Sequence, residues 1–245
     1  MLEIIPVDKC EEAIDVNTDN RKFIENINGN SMAKKYNYAI ENYILPGKEN
    51  IICFRHKDTY IKTPLDVCEY KLQKLFESGT VGAAGVIGTI ALDKTCTWWT
   101  GVPIAGGRGT YGSGSIIQGG LNNALQLIEY PMNDHPGVHD YLTTIDGCIM
   151  FFPKWIFEEG LRFDENLLDY HFYDTDICLQ TIERGYKVAT IDIIAYHYSI
   201  GQPPKNFEDL KKVFLEKWDK KVNSQWPISR ITKFKENSAR NLTHL

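Results

Sequence analysis

NIICFRHKD, residues 50–58, is the stretch on which the fold turns. Its first five residues form a short, β-branched run of the fully buried kind, which reads as an interior strand of an α/β sheet. Such a strand delivers Arg55, His56, Lys57 and Asp58 at its C-terminal end, where open α/β sheets gather their ligands. Side chains alternate along a strand, so His56 and Asp58 are expected on one side of the chain. An imidazole and a carboxylate together suit manganese or magnesium bridging a diphosphate, with phosphate and water in the remaining positions. The same H-x-D also reads as an ordinary surface pair at a strand end. His197, in AYHYSIG (195–201), follows a second apolar stretch. It is the natural third ligand if the strand ends converge, and otherwise a hydrogen-bonded core histidine.

Working outward, LEIIPV (2–7) has the composition and length of a strand, and the polar, aperiodic 9–30 reads as loop. Ser31 caps a helix over 32–43 whose Met32, Tyr36, Ala39, Ile40 and Tyr43 share one face, and Pro46-Gly47 stops it. A second helix is expected over 64–78, with Leu65, Cys68, Leu72, Leu75 and Phe76 inward and Gly79 at its end. VGAAGVIGTIAL (81–92) is a glycine-interrupted strand. Residues 93–120 hold too many glycines for a regular element and read as a functional loop. Within it, Trp98 and Trp99 either stack on a sugar ring or a base, or anchor the loop in the core. LTTIDGCIMFF (142–152) is a strand broken at Asp146-Gly147, and Pro153 opens a short helix.

Asp174 or Thr175 is expected to cap a helix with Ile177, Cys178, Thr181 and Ile182 inward, followed by Gly185, a strand over 187–194 and an amphipathic helix over 206–222. Asp174 and Asp176, with Glu165 and Asp169 nearby, exceed what one cap needs. One of them is then available as a general base toward an acceptor hydroxyl.

With 245 residues, 43% apolar and 12% aromatic, the chain has the make-up of one globular domain. No run approaches the roughly 18 uncharged apolar residues of a membrane span, and the first residues lack the pattern of a signal peptide. The expectation is a cytoplasmic protein. Six cysteines without a CxxC pair (Cys10, Cys53, Cys68, Cys96, Cys148, Cys178) read as buried thiols rather than a disulfide frame or zinc site. The net charge of -5 divides into about +5 from residue 201 onward and about -10 before it. An acidic body argues against nucleic acid. The basic tail reads either as a solvated helical face or as a peripheral contact with anionic lipid or a phosphorylated acceptor.

In this order the features resemble the family 2 glycosyltransferases of GT-A fold, in particular a "glycosyltransferase-like" group. That group carries a YN-containing helix, a strand ending in H-x-D, and a late aspartate-rich helix followed by a strand and a histidine. Here these are KKYNYAI (34–40), ICFRHKD (52–58), FDENLLDYHFYDTDICLQTIERGYKV (163–188) and YHYSIG (196–201). The resemblance implies a Rossmann-like α/β fold with a mixed, mainly parallel sheet flanked by helices. It implies a transferase domain over 1–201 and a helical, basic extension over 202–245. It further implies inverting, metal-dependent transfer from a nucleotide-diphosphate sugar to a hydroxyl acceptor, with Mn2+ or Mg2+ and with UDP ahead of GDP or dTDP. Asn37, His56, Lys57 and Asp58 then face the donor, and Asp58, His56 and His197 hold the metal. Asp174 is the base, and Asp146, Gly147, Trp98, Trp99 and Asp176 stand on the acceptor side.

Two features depart from the pattern. Only one clear strand precedes the YN helix, so the opening strand–helix–strand unit is either missing or replaced by 9–30. His56 stands where the family has an aspartate. The first departure admits a silent carbohydrate-binding or scaffolding protein. A sugar nucleotidyltransferase would be expected to show a glycine-rich phosphate loop after Val7, where Asp-Lys-Cys-Glu-Glu stands instead.

Overall fold

In a computed structural model describing residues 1–8, 20–25, 31–90, 92, 95–97, 102–104, 107–109, 112–119, 125–129, 142–199 and 205–224, the decisive stretch is an interior strand. The elements in chain order are β1 (Leu2–Pro6), β2 (Arg21–Ile24), α1 (Met32–Ala39), β3 (Ile51–Arg55), β4 (Thr59–Ile61), α2 (Leu65–Phe76), β5 (Val81–Gly85) and β6 (Ile87–Thr89). There follow β7 (Val102–Ile104), β8 (Gly107–Gly109), β9 (Gly112–Gln118), β10 (Gln126–Glu129), β11 (Thr144–Ile145), β12 (Ile149–Pro153), α3 (Lys154–Glu158), α4 (Tyr173–Glu183), β13 (Lys187–Thr190), β14 (Ala195–His197) and α5 (Phe207–Ser224).

The main sheet runs β13-β5-β12-β3-β1-β2. Strand β1 is parallel to β2 and β3, and β13 is parallel to β5. Only β12 runs against its neighbours. The molecule is thus a single α/β domain with a mixed, mostly parallel sheet of Rossmann-like, GT-A type. Because β1 and β3 point the same way, Asp8 and His56 to Asp58 emerge at one edge. The reversed β12 begins at that edge too, which sets Gly147 and Cys148 beside His56, whose N–H donates to the Cys148 carbonyl at 2.9 Å.

Strand β2 corrects the expectation of loop over 9–30: Arg21–Ile24 pairs with β1 residue for residue. A parallel pair needs a crossover of about a dozen residues or more, which the intervening stretch supplies; residues 9–19 lie outside the described part. The opening unit therefore keeps its second strand. Periodicity missed it because four residues, partly buried at a sheet edge, leave too short a pattern.

A second sheet, β11-β6-β9-β14-β4 with β10 on β9, lies across the ligand edge. It corrects the reading of 93–120 as lacking regular structure, since Gly112–Gln118 pairs with β6, β10 and β14. Glycine is required here by close approach: at Gly114, with φ of 91°, a Cβ would lie 2.0 Å from the Val86 carbonyl oxygen. What reads as a loop signature is a strand pressed onto another backbone. The single expected strand over 81–92 likewise breaks at Val86, β5 staying in the main sheet and β6 entering the second.

Ser31 caps α1 as expected, accepting from the Lys34 N–H, and a π-helical turn, Ile40–Ile44, extends the helix. In α2 the inner face is Cys68, Leu72 and Phe76, whereas Leu65 is exposed. The expected strand over 187–194 ends at Thr190. The five cysteines in the described residues are buried free thiols. Strand side chains of the main sheet and the apolar faces of α2 and α5 build one apolar cluster, and those of α1 and α4 build the other. No helix among the described residues is long and apolar enough to cross a membrane.

Candidate metal and donor site

Three elements bring His56, Asp58 and His197 together, with one ligand atom from each lying within 4.8 Å of the others. The route is not strand alternation. His56 to Thr59 form a turn, closed by the Thr59 N–H on the His56 carbonyl at 3.3 Å, that carries the chain from the main sheet into the second. Beneath it, the buried Arg55 donates to the Thr59 carbonyl at 2.8 Å and to Glu3 at 2.7 Å, so the turn is held from below. His197 arrives because β14 pairs with β4 in a register that sets it opposite Thr59. The Tyr198 N–H then donates to the Asp58 carbonyl at 2.9 Å. His197 Nε2 ends 3.6 Å from Asp58 Oδ1.

Two imidazoles and a carboxylate at this spacing form a donor set that fits a divalent ion such as manganese, with room left for oxygen ligands from a substrate. Burial, opposed by Asp58 and reinforced by His197, lowers the pKa of His56. That direction favours the neutral imidazole, the form that ligates.

The cluster opens on a cavity of about 150 Å³ lined by Pro6, Val7, Asp8, Met32, Lys35, His56, Lys57, Asp58 and Tyr170. Lys57 donates to Asp8 at 3.2 Å across its mouth. Lys35 is buried, with its ammonium 3.4 Å from the Val7 carbonyl. Burial, offset by Asp8 and reinforced by Lys57, lowers its pKa. Lys35 and Asp8 escaped the sequence reading as site residues, and that reading placed Arg55 at the strand end without giving it a role. Lys35 lies one residue from the inward Tyr36 and reads as the solvated edge of a helix, and the one signal pointing to it is the KKYN motif itself.

Asp174 sits in the first turn of α4 but does not cap it. The cap position is Phe172, in the left-handed region at φ of 66°, which corrects the expectation that Asp174 or Thr175 would cap. The Asp174 carboxylate instead accepts from the backbone N–H of Gly147 at 2.9 Å and of Thr175 at 2.7 Å. Burial, then the neighbouring Asp146 carboxylate, pushes its pKa up to about 7, against the two backbone hydrogen bonds that pull it down. Asp146 accepts from the Cys148 N–H at 2.7 Å, pinning the break between β11 and β12. Behind the metal cluster, His56 Nε2 lies 2.7 Å from the Tyr173 hydroxyl, which donates to the Gly147 carbonyl at 3.2 Å. Asp174, Gly147, Tyr173 and His56 thus form one connected group.

The remaining residues of the expected site lie elsewhere. The Asn37 side chain is bonded to both backbone groups of Phe163 and to Glu165, tying α1 to the segment before α4. It borders a separate surface cavity with Lys34, Tyr38 and Arg162. Asp176 is fully buried and accepts from Trp218 Nε1, Lys217 and Gln180, each at 2.7 Å. Its carboxylate is directed to α5. Trp98 and Trp99 lie outside the described residues.

The sequence model of a family described as "Glycosyltransferase like family" matches residues 13–227. Among curated proteins no sequence matches the chain. Three solved structures are similar in fold. A197 from STIV aligns at 14% identity with a TM-score of 0.47, over 81% of this chain and 85% of that one. GalNAc-T7 with UDP, GalNAc and Mn2+ aligns at 11% identity and 0.49, over 89% of this chain and 43% of that one. The mannosyltransferase PcManGT from Pyrobaculum calidifontis, in complex with GDP-Man and Mn2+, aligns at 11% and 0.48, over 91% and 64%.

Proposed function

With residues 13–227 of its 245 matching that model, the chain belongs to the glycosyltransferase-like family, and from this premise we propose that it is a metal-dependent, inverting glycosyltransferase. It takes a nucleotide-diphosphate sugar, UDP ahead of GDP or dTDP, and transfers the sugar to a hydroxyl of a glycan, a lipid-linked glycan or a protein-linked glycan. The observation that carries the reading is that His56 and Asp58, two of the three residues of the cluster with His197, line the cavity bordered by Pro6, Met32 and Lys35. A divalent ion and a nucleoside diphosphate thereby have adjoining places.

In this reading Asp58, His56 and His197 hold Mn2+ or Mg2+, which supplies neutralisation of the charge developing on the leaving diphosphate. Lys57 and Lys35 add positive charge along the cavity. Asp174 takes the proton of the attacking hydroxyl, and its pKa of about 7 suits a base at neutral pH. Attack from the face opposite the leaving group inverts the anomeric centre. Asp146 and Gly147 border the acceptor. The basic C-terminal extension, of which Phe207–Ser224 is the helix α5, is open to peripheral contact with anionic membranes, and the protein works in the cytoplasm.

Calorimetry with UDP, GDP and dTDP, each with and without Mn2+, tests the proposal and identifies the base. One nucleotide is expected to bind, and only with Mn2+ at full affinity. Failure of all three to bind under both conditions would leave a protein that keeps the fold without the chemistry.

A further inference from the structure

Whether His56 can ligate an ion depends on which ring nitrogen carries its proton, and the atoms behind the ring decide that. We propose that Tyr173 is a positioning residue that fixes His56 in its metal-binding tautomer; this rests on the transferase reading only in assigning the ion. His56 Nε2 lies 2.7 Å from the Tyr173 oxygen, and that oxygen lies 3.2 Å from the Gly147 carbonyl. A carbonyl can only accept, so for both contacts to be hydrogen bonds the one hydroxyl proton goes to Gly147 and the tyrosine oxygen accepts from Nε2. A neutral imidazole protonated at Nε2 carries its lone pair on Nδ1, the nitrogen left for an ion. The reverse arrangement, with the hydroxyl donating to Nε2, would turn the lone pairs of the tyrosine oxygen toward the Gly147 carbonyl 3.2 Å away and take from that carbonyl the donor that Tyr173 supplies. It would also place the ring proton on Nδ1 and close it to metal.

Three further observations support the assignment. The Tyr173 ring is packed against Tyr36 and Phe163, with centroids 5.8 and 6.2 Å away, so its hydroxyl oxygen is held beside His56 and Gly147. Gly147 has to be glycine for the relay to close, since a Cβ there would stand 2.2 Å from the Tyr173 oxygen. Ligating histidines ordinarily donate their second N–H to a carboxylate, carbonyl or water. Here the tyrosine extends that pattern by one hydroxyl, and it links the metal ligand to the residue that also donates to Asp174.

The test is nitrogen NMR of the histidines in the full-length, metal-free protein, followed by Mn2+ titration of the same samples. In the unaltered protein His56 is expected protonated at Nε2. Tyr173→Phe, with its far-UV circular dichroism unchanged, should shift population to the Nδ1-protonated form and weaken Mn2+ binding by about 10–100-fold, the usual effect of losing such a partner. Gly147→Ala should act in the same direction, by displacing the hydroxyl. A proton found on Nδ1 in the unaltered protein overturns the proposal, as does a folded Tyr173→Phe with unchanged tautomer and Mn2+ affinity. If Tyr173→Phe does not fold, the tautomer of the unaltered protein decides alone. That measurement needs neither nucleotide nor turnover, so its outcome stands apart from failure of the transferase reading.

Discussion

At the scale of residues, the two aspartates of the late motif have parted company: Asp174 faces Gly147 and the His56 group, whereas Asp176 faces α5. Replacing Asp174 by Asn is expected to lower the transfer rate by about 10²–10⁴-fold, the range of a general base, with Mn2+ affinity retained. Single-turnover rates and Mn2+ titration on one preparation would read both. The elevated pKa has a definite sign in the rate profile. A protonated carboxyl cannot accept the hydroxyl proton, so the rate should rise with unit slope below about pH 7 and level off above it. In stability the same shift runs the other way. The folded chain holds this proton more tightly than an ordinary aspartate, which titrates near 3.8, so the contribution of Asp174 is fullest below that value and lost as pH rises through about 7. The melting temperature of Asp174→Asn, measured against that of the unaltered protein, should therefore gain across this window. Asp58→Ala removes the only carboxylate of the metal cluster among the described residues. It is expected to abolish calorimetric Mn2+ binding while leaving the melting temperature within a few degrees, since its side chain is partly exposed.

At the scale of elements, the site exists because two sheets meet. β14 must lie between β4 and β9 for His197 to reach Asp58, and β9 must lie against the turn between β5 and β6. Gly114→Ala combines a left-handed backbone with a 2.0 Å approach to a carbonyl, and is expected to cost roughly 2–4 kcal/mol in urea unfolding. Whatever fraction remains folded should bind Mn2+ more weakly. A loss of stability within 0.5 kcal/mol would mean that the approach is relieved without effort and that β9 is not the wedge inferred here.

At the scale of the whole molecule, α5 is a buttress of the site-bearing helix. Phe172, at the start of α4, stacks on Phe214 with centroids 5.1 Å apart, and Trp218 donates to the buried Asp176. Trp218→Ala should destabilise the protein by about 3–5 kcal/mol, with a further loss from leaving Asp176 one donor short. Thermal unfolding reads this directly. Much of this architecture was legible in the chain. The buried composition of 50–54 marked an interior strand, the spacing in 32–43 and 206–222 marked helices, and H-x-D with a later histidine marked a candidate metal set. These signals are local, because helix and strand periodicity record which face of an element is buried. Four-residue β2, glycine-rich β9 and buried Lys35 were hidden, since their reasons lie in partners distant in sequence. The sequence by itself determined the main helices, the interior strand β3, the candidate ligands and the family pattern. The tertiary structure alone decided that a turn, rather than strand alternation, joins His56 to Asp58, that the Asp176 carboxylate is directed to α5, and that Tyr173 stands behind His56. Those are contacts between segments, and register, close approach and hydrogen-bond partners are set only when the sheets and helices pack.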